Sequence, residues 1–392
     1  DAIGFENGLN ALKSDGVAYS PWIDAMHEKG AKSFYRIEDG KRQFWNQATN
    51  EYSDIPGQEG LVNLQVAKSK GVLWRNAGTT ISDLGDGILN VEFHTKMNTI
   101  GGEVLAGLNK AIDMAEADYE GLVVYNEGGN FSAGANVGLI FMMAAEQEMD
   151  ELDFAVRQFQ QTMMRMRYSS IPVVAAPHNL TLGGGCELCL HADKVVAHAE
   201  LYMGLVEFGV GVIPGGGGTK EFALRLADEL RDGDIRSNQF RHRLMTIAQA
   251  KVATSAQEAF ELGYLREGVD EVVYNRDLQL TVAKKAAMNL AEKGYTQPKQ
   301  REDVQVLGNE GLGLVYVGAE TMAAGHYMSE HDRLISEKLG WVMCGGDLSY
   351  PQPVSEKYLL DLERKAFLEL CSTRKTLERL QSMVKSGKVL RN

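Results

Sequence analysis

Two glutamates, Glu187 and Glu207, stand twenty positions apart between glycine turns at 183–185 and 215–218. Paired carboxyls can divide the work of general acid and general base. The first turn follows an apolar run at 172–176, which reads as a buried strand, and opens a short helix at 186–191. Glycines at such a turn admit a ligand close to the backbone and leave the first helical N–H groups free to point at it. That is the outline of an anion or oxyanion site. Glu187 falls in the first turn of a helix otherwise made of small and apolar residues. An unpartnered carboxylate there is costly, so its presence asks for a chemical reason.

Composition narrows the chemistry. The net charge of −13 argues against a nucleic-acid partner. The longest apolar run, 137–145, is too short to span a membrane. There is no secretory signal, and four cysteines in 392 residues suit a reducing compartment, so a cytoplasmic protein is expected. Cys186 and Cys189 form a CxxC with no second pair, so they read as small residues packing one helix face, and no metal site is expected. The segment GVIPGGGGTK is not a phosphate-binding P-loop, because Thr219 precedes Lys220 where a glycine is needed. Pro214 likewise breaks a dinucleotide fingerprint beginning at Gly209. His178, His191 and His198 lack ligand spacing and read as structural. Glycoside hydrolysis also uses two carboxyls, but it does not need glycine-lined backbone donors.

The elements that must hold these groups follow in order. Residues 1–60 form a separate piece: helical patterns at 5–13 and 21–28, then a polar stretch dotted with aromatics that reads as a hairpin or arm. Trp22, Tyr35 and Trp45 read as packing residues. Short strands flank the Gly85-Asp86-Gly87 turn, and a helix follows with Ile100, Val104, Leu108 and Ile112 on one face. A buried strand at 121–125 leads into a second small-residue turn, Asn130 to Asn136, before a helix near Val137. The order strand, turn, helix thus occurs twice, joined by an amphipathic helix at 151–168, which predicts an α/β layer with two parallel crossovers. Both turns would open at carboxyl ends of strands. Ser255 to Glu258 reads as a capping box, and a helix is expected at 277–293. Residues 295–354 show little periodicity, and 356–389 is charged and helical.

A developing thioester enolate fits two backbone-donor turns and two acids. At these residues the sequence resembles a known family. FSAGAN (131–136), LGGGCE (182–187) and GLVEFGVGVIPGGGGT (204–219) resemble, in order and spacing, the crotonase or enoyl-CoA hydratase/isomerase superfamily. The resemblance covers about 65–295, with the 356–389 helix like that family's carboxyl-terminal helix resuming after an insertion. The sequence looks most like the hydratase part of fused β-oxidation proteins in which a 3-hydroxyacyl-CoA dehydrogenase precedes the hydratase.

The resemblance implies a crotonase-type α/β fold of repeated β-β-α units with a helical carboxyl-terminal region. Residues 1–60 become a remnant of a dehydrogenase helical domain or linker arm, 61–295 the catalytic domain, and 296–392 the insertion and helical region. The N–H groups of Ala135 and Gly184 would form the oxyanion hole. Glu187 would activate water and Glu207 would deliver a proton to Cα. Ala133, Gly134, Lys96, Gly183, Pro214 and Gly215 would meet the substrate or its coenzyme A portion. Val206 replaces a common proline and Asn136 a frequent aspartate, which leaves the substrate range open. The implied reaction is reversible hydration of trans-2-enoyl-CoA in fatty-acid β-oxidation. Double-bond isomerisation and a non-catalytic acyl-CoA-binding module are the alternatives. The acyl-CoA thioester is the substrate and no cofactor is expected, NAD belonging to a dehydrogenase part missing from a chain that begins at Asp1. A homo-oligomer, and a thiolase partner in a β-oxidation complex, are implied as well.

Overall fold

The computed structural model describes residues 3–38, 40–58, 60–231 and 233–392. Two compact units emerge, residues 1–72 and 73–392. In the first, helices Phe5–Ser14 and Trp22–Glu28 precede a three-stranded antiparallel sheet of Tyr35–Glu38, Lys41–Asn46 and Glu51–Asp54. Its core is Phe5, Leu9, Met26 and Trp45, with Trp22, Phe34 and Tyr52 packed around them. Trp22 and Trp45 are therefore packing residues as read, whereas Tyr35 is half exposed at 50%. The polar arm is a sheet of three strands rather than a single hairpin.

The second unit is built on a seven-stranded sheet. Its strands run in the order Glu271–Val273, Lys194–His198, Val173–Ala175, Gly121–Val124, Ile88–Phe93, Thr79–Asp83 and Val72–Arg75. The first five pair in parallel, and Thr79–Asp83 joins Ile88–Phe93 antiparallel through the expected glycine turn. Strands Val173–Ala175 and Gly121–Val124 are buried at every position. Parallel strands covered on both faces need continuous apolar runs, as these two are. Helix Gly102–Asp118 buries Val104, Leu108 and Ile112, the stripe expected of it.

One element was not legible. Between Ala175 and the glycine turn lies another strand, Asn179–Leu182, paired in parallel with Leu201–Gly204 as a separate two-stranded sheet. The turn at Gly183 thus follows this short strand and not the buried one at 173–175. Residues 295–354 also hold more order than their periodicity suggests, including helices Gly308–Ala324 and Glu330–Met343. The second is opened by a capping box between Ser329 and Asp332. The carboxyl-terminal stretch is two helices, Glu356–Cys371 and Arg374–Ser386. Among the described residues no helix is long and apolar enough to cross a membrane.

Candidate active site

The two small-residue turns are stitched together by backbone. Ser132 N–H donates to Leu180 O and Leu182 N–H donates to Ser132 O, each at 3.0 Å, so residues 131–134 run beside strand Asn179–Leu182. Ile100 N–H holds Gly134 O at 2.8 Å, and the Ser132 hydroxyl accepts from Gly134 N–H at 3.1 Å. Asn136, in place of a frequent aspartate, caps helix Val137–Ala145 by accepting from Leu139 N–H. Gly134 has φ +92°, and a β-carbon on it would come within 2.7 Å of Leu182 O and 3.0 Å of Gly184 N. Only glycine fits so close an approach.

The result is a pair of neighbouring amides, Ala135 N–H and Gly184 N–H. Gly184 is the first residue of helix Gly184–Leu190, where the N–H has no intrahelical partner. Among the described residues neither amide donates a hydrogen bond within the protein. Two adjacent unused donors can hold one oxyanion.

Glu187 lies one turn into that helix and is 3% exposed. Its Oε1 accepts from Gly216 N–H and Gly218 N–H, both at 2.8 Å. A β-carbon on Gly216 would sit 2.6 Å from Glu187 Oε2 and 2.5 Å from the Phe159 ring, so the second glycine turn exists to admit this carboxyl. Burial raises the Glu187 carboxyl to about 7, against the pull of the two N–H bonds and of Lys220. Beneath it, His191 Nδ1 lies 2.7 Å from Glu187 O, and His191 Nε2 lies 3.0 Å from Lys220 Nζ. Burial, then Lys220, depresses the imidazole to about 3. A neutral ring that donates from Nδ1 and accepts at Nε2 satisfies both contacts, which gives His191 a structural task.

Glu207 opens the short 3-10 segment Glu207–Val210, after strand Leu201–Gly204. The residue is half-buried, yet its Oε2 is fully covered and has no hydrogen-bond partner among the described residues. Oε1 faces the first turn, since a β-carbon on Gly183 would lie 3.0 Å from it. Burial, and then the charge of Glu187, raises its carboxyl well above the usual range. Glu207 therefore faces the turn whose Gly184 stands against Gly134 and Ala135, and Glu187, held from the second glycine turn, is near enough for its charge to act on Glu207. Ala133 is tied to the rim through its N–H to Met97 O at 3.1 Å, beside the exposed Lys96. Pro214 and Gly215 are buried behind Glu187, where a β-carbon on Gly215 would meet Phe367 at 2.7 Å. Cys186 and Cys189 are buried in the helix beside Glu187.

Sequence reasoning missed what stands behind the turn. Glu363, in helix Glu356–Cys371, and Gln160, in helix Met149–Arg167, both contact the turn at 215–220. Lys220 is buried among Glu221, Glu356 and His191. A signal existed: Glu356 and Glu363 fall at heptad spacing on the same face as Leu359, Leu360, Phe367 and Leu370, an apolar stripe where carboxylates are out of place.

Residues 83–294 match the family model described as enoyl-CoA hydratase/isomerase. The chain belongs to the enoyl-CoA hydratase/isomerase family. A Bacillus subtilis protein named as a probable 3-hydroxyacyl-CoA dehydrogenase is 42% identical over 393 residues, covering all of this chain and 49% of its own length. A Rickettsia felis protein named as a fatty acid oxidation complex trifunctional enzyme is 28% identical over 336 residues, covering 86% of this chain and 43% of its own. This member of the family thus spans less than half the length of those two relatives. The crystal structure of an enoyl-CoA hydratase from Bacillus halodurans shares the fold, with a TM-score of 0.53 over 78% of this chain and all of that one, at 16% identity. Both the crotonase-type fold and the helical carboxyl-terminal region expected of the hydratase/isomerase family are present.

Proposed function

We propose that this chain catalyses reversible hydration of trans-2-enoyl-CoA to 3-hydroxyacyl-CoA in fatty-acid β-oxidation. One observation carries the reading: the Glu207 carboxyl faces the Gly183 turn, close enough to the Glu187 carboxyl held by Gly216 and Gly218 to feel its charge, beside two neighbouring amides that have no acceptor among the described residues. The thioester carbonyl oxygen would accept from Ala135 N–H and Gly184 N–H. Charge grows on that oxygen as water adds at C3, which is when such donors act most strongly.

The environments of the two acids support a division of labour. Two neighbouring buried carboxyls cannot both ionise easily, so their titrations separate. Glu187, with two N–H bonds to its oxygen, is the one that ionises first as pH rises. It takes a proton from water as the water oxygen bonds to C3. Glu207, with no donor to its Oε2 among the described residues, is the one that keeps a proton and gives it to C2. The carbon–carbon double bond is consumed, water is added across it, and the pair returns to its starting state by passing one proton back. No cofactor enters this step.

Ala133, Gly134, Gly183 and Lys96 are proposed to meet the acyl-CoA on the open side, with Pro214 and Gly215 shaping the wall behind Glu187. In a longer protein the product would pass to a 3-hydroxyacyl-CoA dehydrogenase part, where NAD would be used. A homo-oligomer in the cytoplasm, joined with a thiolase in an oxidation complex, completes the proposal. The test is loss of the conjugated-thioester absorbance of crotonyl-CoA with purified chain and no cofactor. Tight binding without turnover would point to a binding module, and conversion of 3-enoyl-CoA without hydration to an isomerase.

A further inference from the structure

The glycine turn is shared between two carboxyls. Its N–H groups alternate: Gly216 and Gly218 donate to Glu187 Oε1, while Gly217 donates to Glu363 Oε1 at 2.6 Å and Lys220 to Glu363 Oε2 at 2.9 Å. Glu363 is 0% exposed and comes from the carboxyl-terminal helix, beyond the stretch 83–294 that carries the family match. Gln160 closes the other side: its Nε2 reaches Gly215 O at 3.0 Å and Glu363 Oε1 at 3.4 Å.

We propose that Glu363 is a positioning residue, whose grip on Gly217 and Lys220 N–H fixes the turn so that Gly216 and Gly218 can orient Glu187. The inference rests on the hydration reading above. A turn of four glycines has many conformations, and the two N–H groups that hold Glu187 point at one oxygen only in some of them. Glu187 alone supplies no anchor for Gly217, whose N–H points the other way. Glu363 supplies it, and Gln160 ties the start of the turn to the same carboxyl. Misplacing a reacting group by about 1 Å can cost on the order of 10² in rate.

The test is a double-mutant cycle between Glu363→Gln and Glu187→Gln, with folding followed by circular dichroism. The glutamine puts an NH₂ group against one of the two backbone N–H donors. In the wild-type background kcat for crotonyl-CoA should fall at least about tenfold, with KM within about threefold, because the coenzyme contacts lie elsewhere. In the Glu187→Gln background the same change should cost less than about threefold, since there is no base left to orient. Equal losses in both backgrounds, or an undiminished kcat in folded Glu363→Gln, would overturn the proposal. Should Glu363→Gln fail to fold, Gln160→Met loosens the same anchor more gently. It should lower kcat several-fold only when Glu187 is present, and an unchanged kcat overturns the proposal equally. A wild-type chain that does not hydrate crotonyl-CoA sinks the functional reading instead, so the two failures are distinct.

Discussion

A β-carbon on Gly184 would lie 3.2 Å from the amide nitrogen of Ala135, so these two residues from separate turns present their N–H groups to one small space. That closeness is set by Gly134 and Ser132, which pin the first turn against strand Asn179–Leu182. Gly184→Pro removes one of the two donors at the first helical position, but its β-carbon would also come within 2.9 Å of the Phe159 ring, so folding is followed together with rate. Hydration should fall by roughly 10²–10³-fold, the usual cost of one oxyanion donor. Far-ultraviolet circular dichroism decides whether the variant has folded, and the rate of a folded variant tests the donor. A folded variant that retains wild-type rate would take Gly184 out of the anion site.

Glu187 should cost the fold stability at neutral and higher pH. Its carboxyl titrates near 4.5 when exposed and is raised to about 7 by burial in the native state. Between those values the native state binds more protons than the unfolded chain, so this group's contribution falls as pH rises through that window. The full effect is on the order of a few kcal/mol above pH 7 and vanishes below about pH 4. Glu187→Gln should therefore melt higher than wild type at pH 8 and about equally at pH 4.5. Identical melting differences at both values would show that the site imposes no such ionisation cost.

The buried cation should matter to stability more than to chemistry. Lys220, Glu221 and Glu356 have side chains that are 0% exposed, and Lys220 Nζ bridges the two carboxylates, 3.0 Å from Glu356 Oε2. Arg167 also reaches Glu221 at 2.9 Å. Lys220→Met keeps the shape but leaves buried carboxylates short of a partner, which typically costs about 3–5 kcal/mol. The urea midpoint should drop with an unchanged slope. The Lys220 backbone N–H stays with Glu363, so kcat of the folded fraction should change less than about tenfold. A midpoint equal to wild type would mean that the remaining partners, Arg167 and Arg225 at Glu221 and Tyr168 and the Arg301 N–H at Glu356, satisfy the cluster without Lys220.

How much of this was legible follows from how local each feature is. Glu187, Gly183 and Gly184 announce themselves because a carboxylate and a strained turn sit within five residues of each other. Strand Asn179–Leu182 was hidden because it has only four residues and pairs with Leu201–Gly204, a partner that only the tertiary fold brings beside it. Helices Gly308–Ala324 and Glu330–Met343 escaped periodicity for a packing reason. A β-carbon on Gly340 would meet Val315 at 2.5 Å, so glycine serves here as a close-contact residue inside a helix, where propensity alone reads it as a breaker. Glu363 was visible only as a carboxylate on an apolar stripe. Its partners, the N–H groups at Gly217 and Lys220, lie 146 and 143 residues away in the chain, and no local pattern links them.

The two acids should behave as one catalytic unit. Burial, and then the charge of Glu187, raises the Glu207 carboxyl, and the same two causes raise Glu363, so the buried carboxyls give up their protons in coupled steps. The rate should climb with pH as the first proton leaves the coupled carboxyls, which gives an acid limb above the ordinary carboxylate range. It should fall again at higher pH when Glu207 loses the proton it must donate, which gives a bell-shaped profile. Glu207→Gln removes the second ionisation, so what activity remains should lose the alkaline fall. Each single glutamine variant should lower kcat by roughly 10²-fold or more. The double variant should be little worse than the poorer single one, because both groups serve one transition state. Acyl-CoA affinity, read by calorimetry, should change far less than kcat. Multiplying losses in the double variant would mean that the two carboxyls act in separate steps, and full hydration by Glu187→Gln would leave Glu207 as the sole acid–base group.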